Sequence, residues 1–193
     1  TLLIEFMIIS TIVGSIMDAK RLIKQNQAQN DNNYNNIIVK NQYAINIPAF
    51  LSPMKNLSED ASLQYGNKTL DIAFLVIDEP KSEFIAAVKE SQPIILGLGN
   101  SIVDNLATVA INNMFEVDKV EVGNYTQTTI NGLNAITLNV FQKRTFFKDA
   151  AYGSFAFIEG KDRLYQIIIM SGGTSIRKLA DKMETSIKSF REL

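Results

Sequence analysis

The sequence predicts an α+β fold, a layered sandwich of mostly antiparallel strands with a few helices packed on them. Three observations predict it. Residues 69–79, TLDIAFLVIDE, place Ile72, Phe74 and Val76 on one alternating face and Ala73, Leu75 and Ile77 on the other. Both faces are apolar, so this segment reads as a central strand covered on each side. Asn131-Gly132 and Gly160-Lys161-Asp162 each divide a pair of alternating segments, the pattern of two hairpins. Stretches with apolar residues three and four apart interrupt the strands and close the chain, and these read as amphipathic helices.

Taken in order, residues 2–17, LLIEFMIISTIVGSIM, are apolar with one charge, Glu5. The run is short for a membrane span of about 20 residues and long for the core of a signal peptide. Residues 1–19 therefore read as a signal sequence, a short membrane anchor or a buried helix of the domain. Lys20, Arg21 and Lys24 follow directly and favour a cytoplasmic flank. Residues 25–36, QNQAQNDNNYNN, lack apolar periodicity, so residues 20–36 read as a flexible Asn/Gln-rich linker. A single domain is expected from Ile37 to Leu193. NIIVK and YAINIP read as short strands, and ASLQY as a third with a turn at Gly66-Asn67. Pro80 suits a first helical turn, followed by a stripe of Phe84, Ile85 and Val88. A second helix is expected from about Ser101 to Phe115, with Ser101 as N-cap, Asp104 near N3, and Ile102, Leu106, Val109 and Met114 on its apolar face. Four strands follow, in NYTQTTING, LNAITLNVFQK, AYGSFAFIEG and RLYQIIIMS. The last helix is expected over Thr174–Phe190, with Ile176, Leu179, Met183, Ile187 and Phe190 on one face.

Composition narrows the chemistry. The chain of 193 residues has no Cys, no His and no Trp, and a formal net charge of -1. Disulfides, thiolate nucleophiles, imidazole bases and His- or Cys-ligated zinc are excluded. The charge balance also argues against a general nucleic-acid binder. Carboxylate, Lys, Tyr, Ser or Thr chemistry remains, together with oxygen-ligated cations.

Several clusters are candidates. Asp78, Glu79 and Glu83 could hold Ca²⁺ or Mg²⁺ through oxygen ligands. If they converged in a cleft, they could instead serve a carboxylate-dependent enzyme or a small-ligand carrier. The competing account is a capped helix start, where acidic residues complement the helix dipole. Glu116, Asp118 and Glu121 match no calcium loop and read as an exposed connection. GLGNS, residues 97–101, has Ile102 where a dinucleotide fingerprint needs glycine, and reads as a loop before a helix. SGGTS, residues 171–175, reads as a turn and cap before the last helix. QKRTFFK places Lys143 and Arg144 beside Phe146 and Phe147, a contact patch for a partner if the rings are exposed. Asn56, Asn67 and Asn124 each begin an N-x-[ST] match, which is expected by chance in so Asn-rich a chain.

YAINIP, FIEGKDRLYQIIIM and METSIKSFREL resemble the opening strand, late hairpin and closing helix of the PsbP-like domain, and DASLQYGN is similar to a strand of bacterial members. The resemblance spans about residues 37–193. It implies an antiparallel sheet with helices on both faces, an α/β/α sandwich, and non-enzymatic work. Family members include extrinsic factors of photosystem II and a Mog branch that binds the GTPase Ran. The metal-associated histidine of plant members has no counterpart here. The expectation is a non-catalytic accessory or protein-binding domain without a cofactor. It would be exported or membrane-tethered, with a cytoplasmic protein as the alternative. A structural surface protein is a further alternative.

Overall fold

A computed structural model describes residues 20–28, 30–91, 101–114, 120–123, 125–142, 151–172 and 179–193. After a helix over residues 20–28 (α1), two strands, β1 (Tyr34–Val39) and β2 (Tyr43–Pro48), form a hairpin. Next come β3 (Ser52–Pro53), β4 (Ala61–Asn67), β5 (Ile72–Pro80), α2 (Lys81–Ser91) and α3 (Ile102–Met114). The second half holds β6 (Val120–Val122), β7 (Thr126–Ile130), β8 (Leu133–Gln142), β9 (Ala151–Glu159), β10 (Arg163–Gly172), α4 (Ala180–Lys188) and β11 (Arg191–Glu192).

Antiparallel pairing builds an eight-stranded sheet in the order β3-β4-β5-β10-β9-β8-β6, with β7 also on β8. β1, β2 and β11 form a second, three-stranded sheet. The apolar alternation of β5 is realised as expected: Phe74 and Val76 are fully buried on one face, while Leu75 and Ile77 pack on the other. The second face carries Phe84 of α2 and Val103, Leu106, Ala107, Ala110 and Ile111 of α3. The first face carries Ala28 of α1, Tyr43, Ile45 and Ile47 of β2, and Met183 and Ile187 of α4. Burying each of the two α4 side chains contributes roughly 2 kcal/mol, enough to hold so short a helix in place. Helices thus lie on both faces of a mostly antiparallel sheet, the α+β sandwich that the sequence predicted.

Local chemistry explains the joins. Asn131 and Gly132 have φ of 48° and 85°, the left-handed pair that a two-residue hairpin needs. At Gly160 any Cβ would sit 2.2 Å from a Glu192 carboxylate oxygen and 2.7 Å from the Tyr165 ring, so only glycine fits that turn.

Some boundaries differ from expectation. Residues 20–28 are helical, not a flexible linker, and Gln25 and Ala28 are buried. Lys, Arg, Leu, Gln and Ala favour helix, and Arg21, Gln25 and Ala28 fall on one face. The Arg21 guanidinium donates to the Gly172 carbonyl at 2.9 Å, which docks α1 on the main sheet. β1 begins at Tyr34, ahead of Ile37. The turn after β4 lies at Lys68–Asp71, where Asn67 accepts from the Thr69 and Leu70 amides. Pro80 ends β5, and α2 starts at Lys81. α4 stops at Lys188, because Arg191–Glu192 turns back to pair with β2.

Candidate functional site

A groove of about 410 Å³ opens between α4 and the outer strands β7, β8 and β9. Strand alternation sets its floor. Thr126 lies opposite Thr137, and Asn139 opposite Ser154, so one sheet face presents a row of hydroxyl and amide groups. The Ser154 hydroxyl donates to the Asn139 side-chain oxygen at 2.8 Å. Met183 and Ile187 of α4 form the apolar wall. Glu184 and Lys188, four residues apart on the same helix, bring opposite charges to the rim and pair at 2.6 Å. One end of the groove is tied off by Asn131, whose amide donates to the carbonyls of Phe190 at 2.6 Å and Lys188 at 3.1 Å. The groove therefore offers neutral hydrogen-bonding groups, and its charged lining groups neutralise each other.

The opposite face of the same strands holds a buried carboxylate. Asp104 of α3 accepts from the Ser101 hydroxyl at 2.7 Å, from the Tyr125 hydroxyl, and from the Gln127 amide at 3.3 Å. Burial pushes its carboxyl up. The hydrogen bonds from Tyr125, Ser101 and Gln127 outweigh burial and hold it below the usual carboxylate range. The Tyr125 phenol is pushed up to about 12 by burial and by the carboxylate it faces. Ser101 is the N-cap expected from sequence: its hydroxyl also accepts from the Asp104 amide at 3.3 Å. Tyr125, the residue just before β7, and Gln127 within it enter because alternate residues of an extended chain point to alternate faces. Thr126 and Thr128 thus serve the groove while Tyr125 and Gln127 fix β7 to α3.

The predicted carboxylates are not brought together. Asp78 and Glu79 are successive residues of β5 and point to opposite faces of the sheet. Asp78 forms an ion pair with Arg163 at 2.5 Å, and its side chain is only 5% exposed. Glu79 accepts from the Gln166 amide at 3.3 Å on the α2/α3 side. Burial raises its pKa, the Gln166 bond opposes the rise, and Glu83 nearby adds to it. Glu83 is exposed in the first turn of α2. Among the described residues no three acidic groups converge as a cation site, so the cluster expected for Ca²⁺ or Mg²⁺ resolves into one ion pair, one half-buried acid and one helix-start charge.

The Arg163–Asp78 pair belongs to a structural lock. The Tyr165 hydroxyl donates to Glu192 at 2.9 Å, and the other Glu192 oxygen accepts from the Lys161 amide at 2.8 Å. Tyr43, Tyr165 and Phe190 pack ring against ring, with centroids 4.8–5.5 Å apart. Both tyrosines have pKa values pushed well above the ordinary range, first by burial. Lys143, Arg144, Phe146 and Phe147, expected as a contact patch, lie outside the described residues, as do most of GLGNS and SGGTS, Glu116, Asp118 and Asn124. Asn56 and Asn67 are described, and the Asn67 amide donates to the Phe50 carbonyl at 2.9 Å.

No family model matches the sequence, and no curated protein does. Solved structures do. The Ran-binding protein Mog1p of Saccharomyces cerevisiae superposes with a TM-score of 0.57 at 8% identity, over 82% of this chain and 95% of that one. Cyanobacterial PsbP from Synechocystis superposes with a TM-score of 0.57 at 11% identity, over 83% of this chain and 92% of that one. This chain has the PsbP-like fold. At such identities the likeness concerns the fold.

Sequence reasoning about this PsbP-like chain missed both the groove and the Asp104 network. The groove had a legible half: Thr137 stands between Ile136 and Leu138, and Thr126 and Thr128 share one face of a strand already recognised. Its other half, α4, is brought over those strands by packing that no local pattern reports. The network joins residues 21 and 23 positions apart.

Proposed function

We propose that this chain is a non-catalytic protein-binding domain whose contact face is the groove between α4 and β7–β9. One observation carries the reading. The groove is lined by neutral hydroxyl and amide groups, and its charged groups, Glu184 and Lys188, pair with each other. Such a lining provides directional hydrogen bonds and an apolar wall, which suits recognition more than proton transfer. The two carboxylates with shifted pKa values, Glu79 and Asp104, sit on the opposite face and do not line the groove. The likeness in fold to the Ran-binding protein Mog1p supports the same class of role.

The second half of the proposal places the domain against a membrane, exported or tethered through residues 1–19. α1 is docked on the main sheet through Arg21, so an attachment through the preceding residues would hold the domain close to the surface. Leu22 and Ile23, 51% and 58% exposed, would add apolar contact there.

A photo-crosslinking side chain placed at Lys188 tests the binding face against one at Lys40, on the β1–β2 turn. The expected result is a discrete protein adduct from position 188 alone, lost when Ser154→Arg fills the groove. The same adducts from both positions would overturn it. Fractionation with intact-mass measurement tests the second half. A membrane-bound form, or an exported form shortened at its start, is expected; a full-length soluble cytoplasmic form would sink it.

A further inference from the structure

The main sheet ends in two edges that are treated differently. At one edge β3 is two residues long and carries Pro53, whose missing N–H blocks pairing. At the other, β6 and β7 follow one another along β8; β6 carries Glu121, whereas β7 reads TQTTI, with no charge, no proline and four of its five residues exposed. Among the described residues it pairs with β8 alone. β-Branched Thr and Ile favour extended pairing. A bare, uncharged edge of this kind is the form that natural sheets avoid unless it is used.

We propose that β7 pairs antiparallel with β7 of a second copy of this chain, about a two-fold axis through Thr128. That register sets Thr128 opposite its mate, Gln127 opposite Thr129, and Thr126 opposite Ile130. No charged residue meets a like charge across the seam, and Thr-Thr and Thr-Ile pairs are favourable cross-strand neighbours. β7 charges nothing against itself, whereas Lys81, Glu159 and Arg163 crowd the hairpin ends of the central strands. The net charge of -1 adds little long-range repulsion between copies. The strand is also held ready. Tyr125 and Gln127 fix it to Asp104, and Asn131 fixes its far end to α4, so little ordering is needed on pairing. A two-fold of this kind is perpendicular to the sheet, so both α4 helices and both grooves fall on one face of a continuous sheet. The pairing uses the outer backbone edge of β7, whose Thr126 and Thr128 side chains also line the groove, and it needs no ligand bound there.

The chain has no cysteine, so a single introduced one can bridge only two copies. Full-length T128C and T126C, in mild detergent to screen residues 1–19, are oxidised gently and followed by intact mass. T128C is expected to yield the disulfide dimer at least tenfold faster. In T126C the two sulfurs would lie about 14 Å apart along the seam, beyond the reach of a disulfide. Sedimentation of the unmodified chain should show a mass rising from 21.5 kDa toward twice that with concentration, and T128K, folded by circular dichroism, should stay at the lower value. Equal crosslinking of the two variants, a chain that stays monomeric, or association that T128K leaves intact would each overturn the pairing.

Discussion

Glu79 and Asp104 face the same α2/α3 layer of the main sheet, and their carboxyl groups shift in opposite directions. Asp104 is the more buried residue, yet it stays ionised more readily than an ordinary carboxylate. The difference lies in the donors. Asp104 accepts from two hydroxyls and one amide side chain, whereas Glu79 has the Gln166 amide and the repulsion of Glu83. Directed donors outweigh burial at one site, and burial outweighs a single donor at the other. The comparison also separates sequence crowding from chemistry. Asp78, Glu79 and Glu83 are close in the chain, yet Asp78 pairs with Arg163 on one face while Glu79 and Glu83 only repel, whereas Asp104, Tyr125 and Gln127 are distant in the chain and act together.

Removing the charge where donors converge should have the largest effect. Asp104→Asn keeps the shape but sets its NH₂ against donors, and should destabilise the fold by about 2 kcal/mol. The midpoint of urea unfolding at pH 7 checks this, with an unchanged slope showing that the fold itself is retained. A loss near zero would mean that the network is incidental to the edge.

Tyr125→Phe should come next, at about 1 kcal/mol, because one of several donors is lost. Its pH signature is sharper than its size. A carboxyl held below its unfolded pKa adds stability that is complete above that unfolded value, near 4, and disappears as pH falls through the folded value. Loss of the Tyr125 donor moves the folded value upward, so the acid-side decline should be complete at a higher pH than in the parent. Unfolding midpoints between about pH 2 and 5 measure it. An unmoved acid limb would assign the shift to Ser101 and Gln127.

The sequence carried one half of this comparison and hid the other. Hairpin turns, the two-faced β5 and the stripe of α4 follow from local rules of period and turn chemistry, and the structure keeps them. The same period-two rule already set Asp78 and Glu79 on opposite faces of β5, so the proposed cation site conflicted with the strand assignment that contained it. By contrast, Ser101 was legible as a cap, but its partnership with Tyr125 and Gln127 depends on β7 lying beside α3, a tertiary fact. Composition misled at residues 20–28, where Gln and Asn suggested a linker. The Arg21, Gln25 and Ala28 face binds α1 to a core that local sequence does not display. β11 was hidden for the same reason: two residues become a strand only because β2 offers them an edge.

The smallest effect should carry the opposite sign. Glu79 has a raised carboxyl, so its ionised form is less favourable in the folded chain than in the unfolded one. That penalty is present above the raised value and vanishes as pH falls below the unfolded value, the reverse of Asp104. Glu79→Gln removes the charge, the repulsion from Glu83 and the desolvation together, and leaves an amide that can still accept from Gln166. Glu79 is only half-buried, so solvent screens much of the penalty, and a gain of roughly 0.5 kcal/mol at pH 7 is expected. The gain should shrink toward pH 4, where the parent carboxyl is already protonated. Urea midpoints of the two proteins at both pH values decide it. A loss of stability at pH 7 would show that Glu79 works as an ion partner, for Lys or Arg, and that the two acids differ in degree and not in sign.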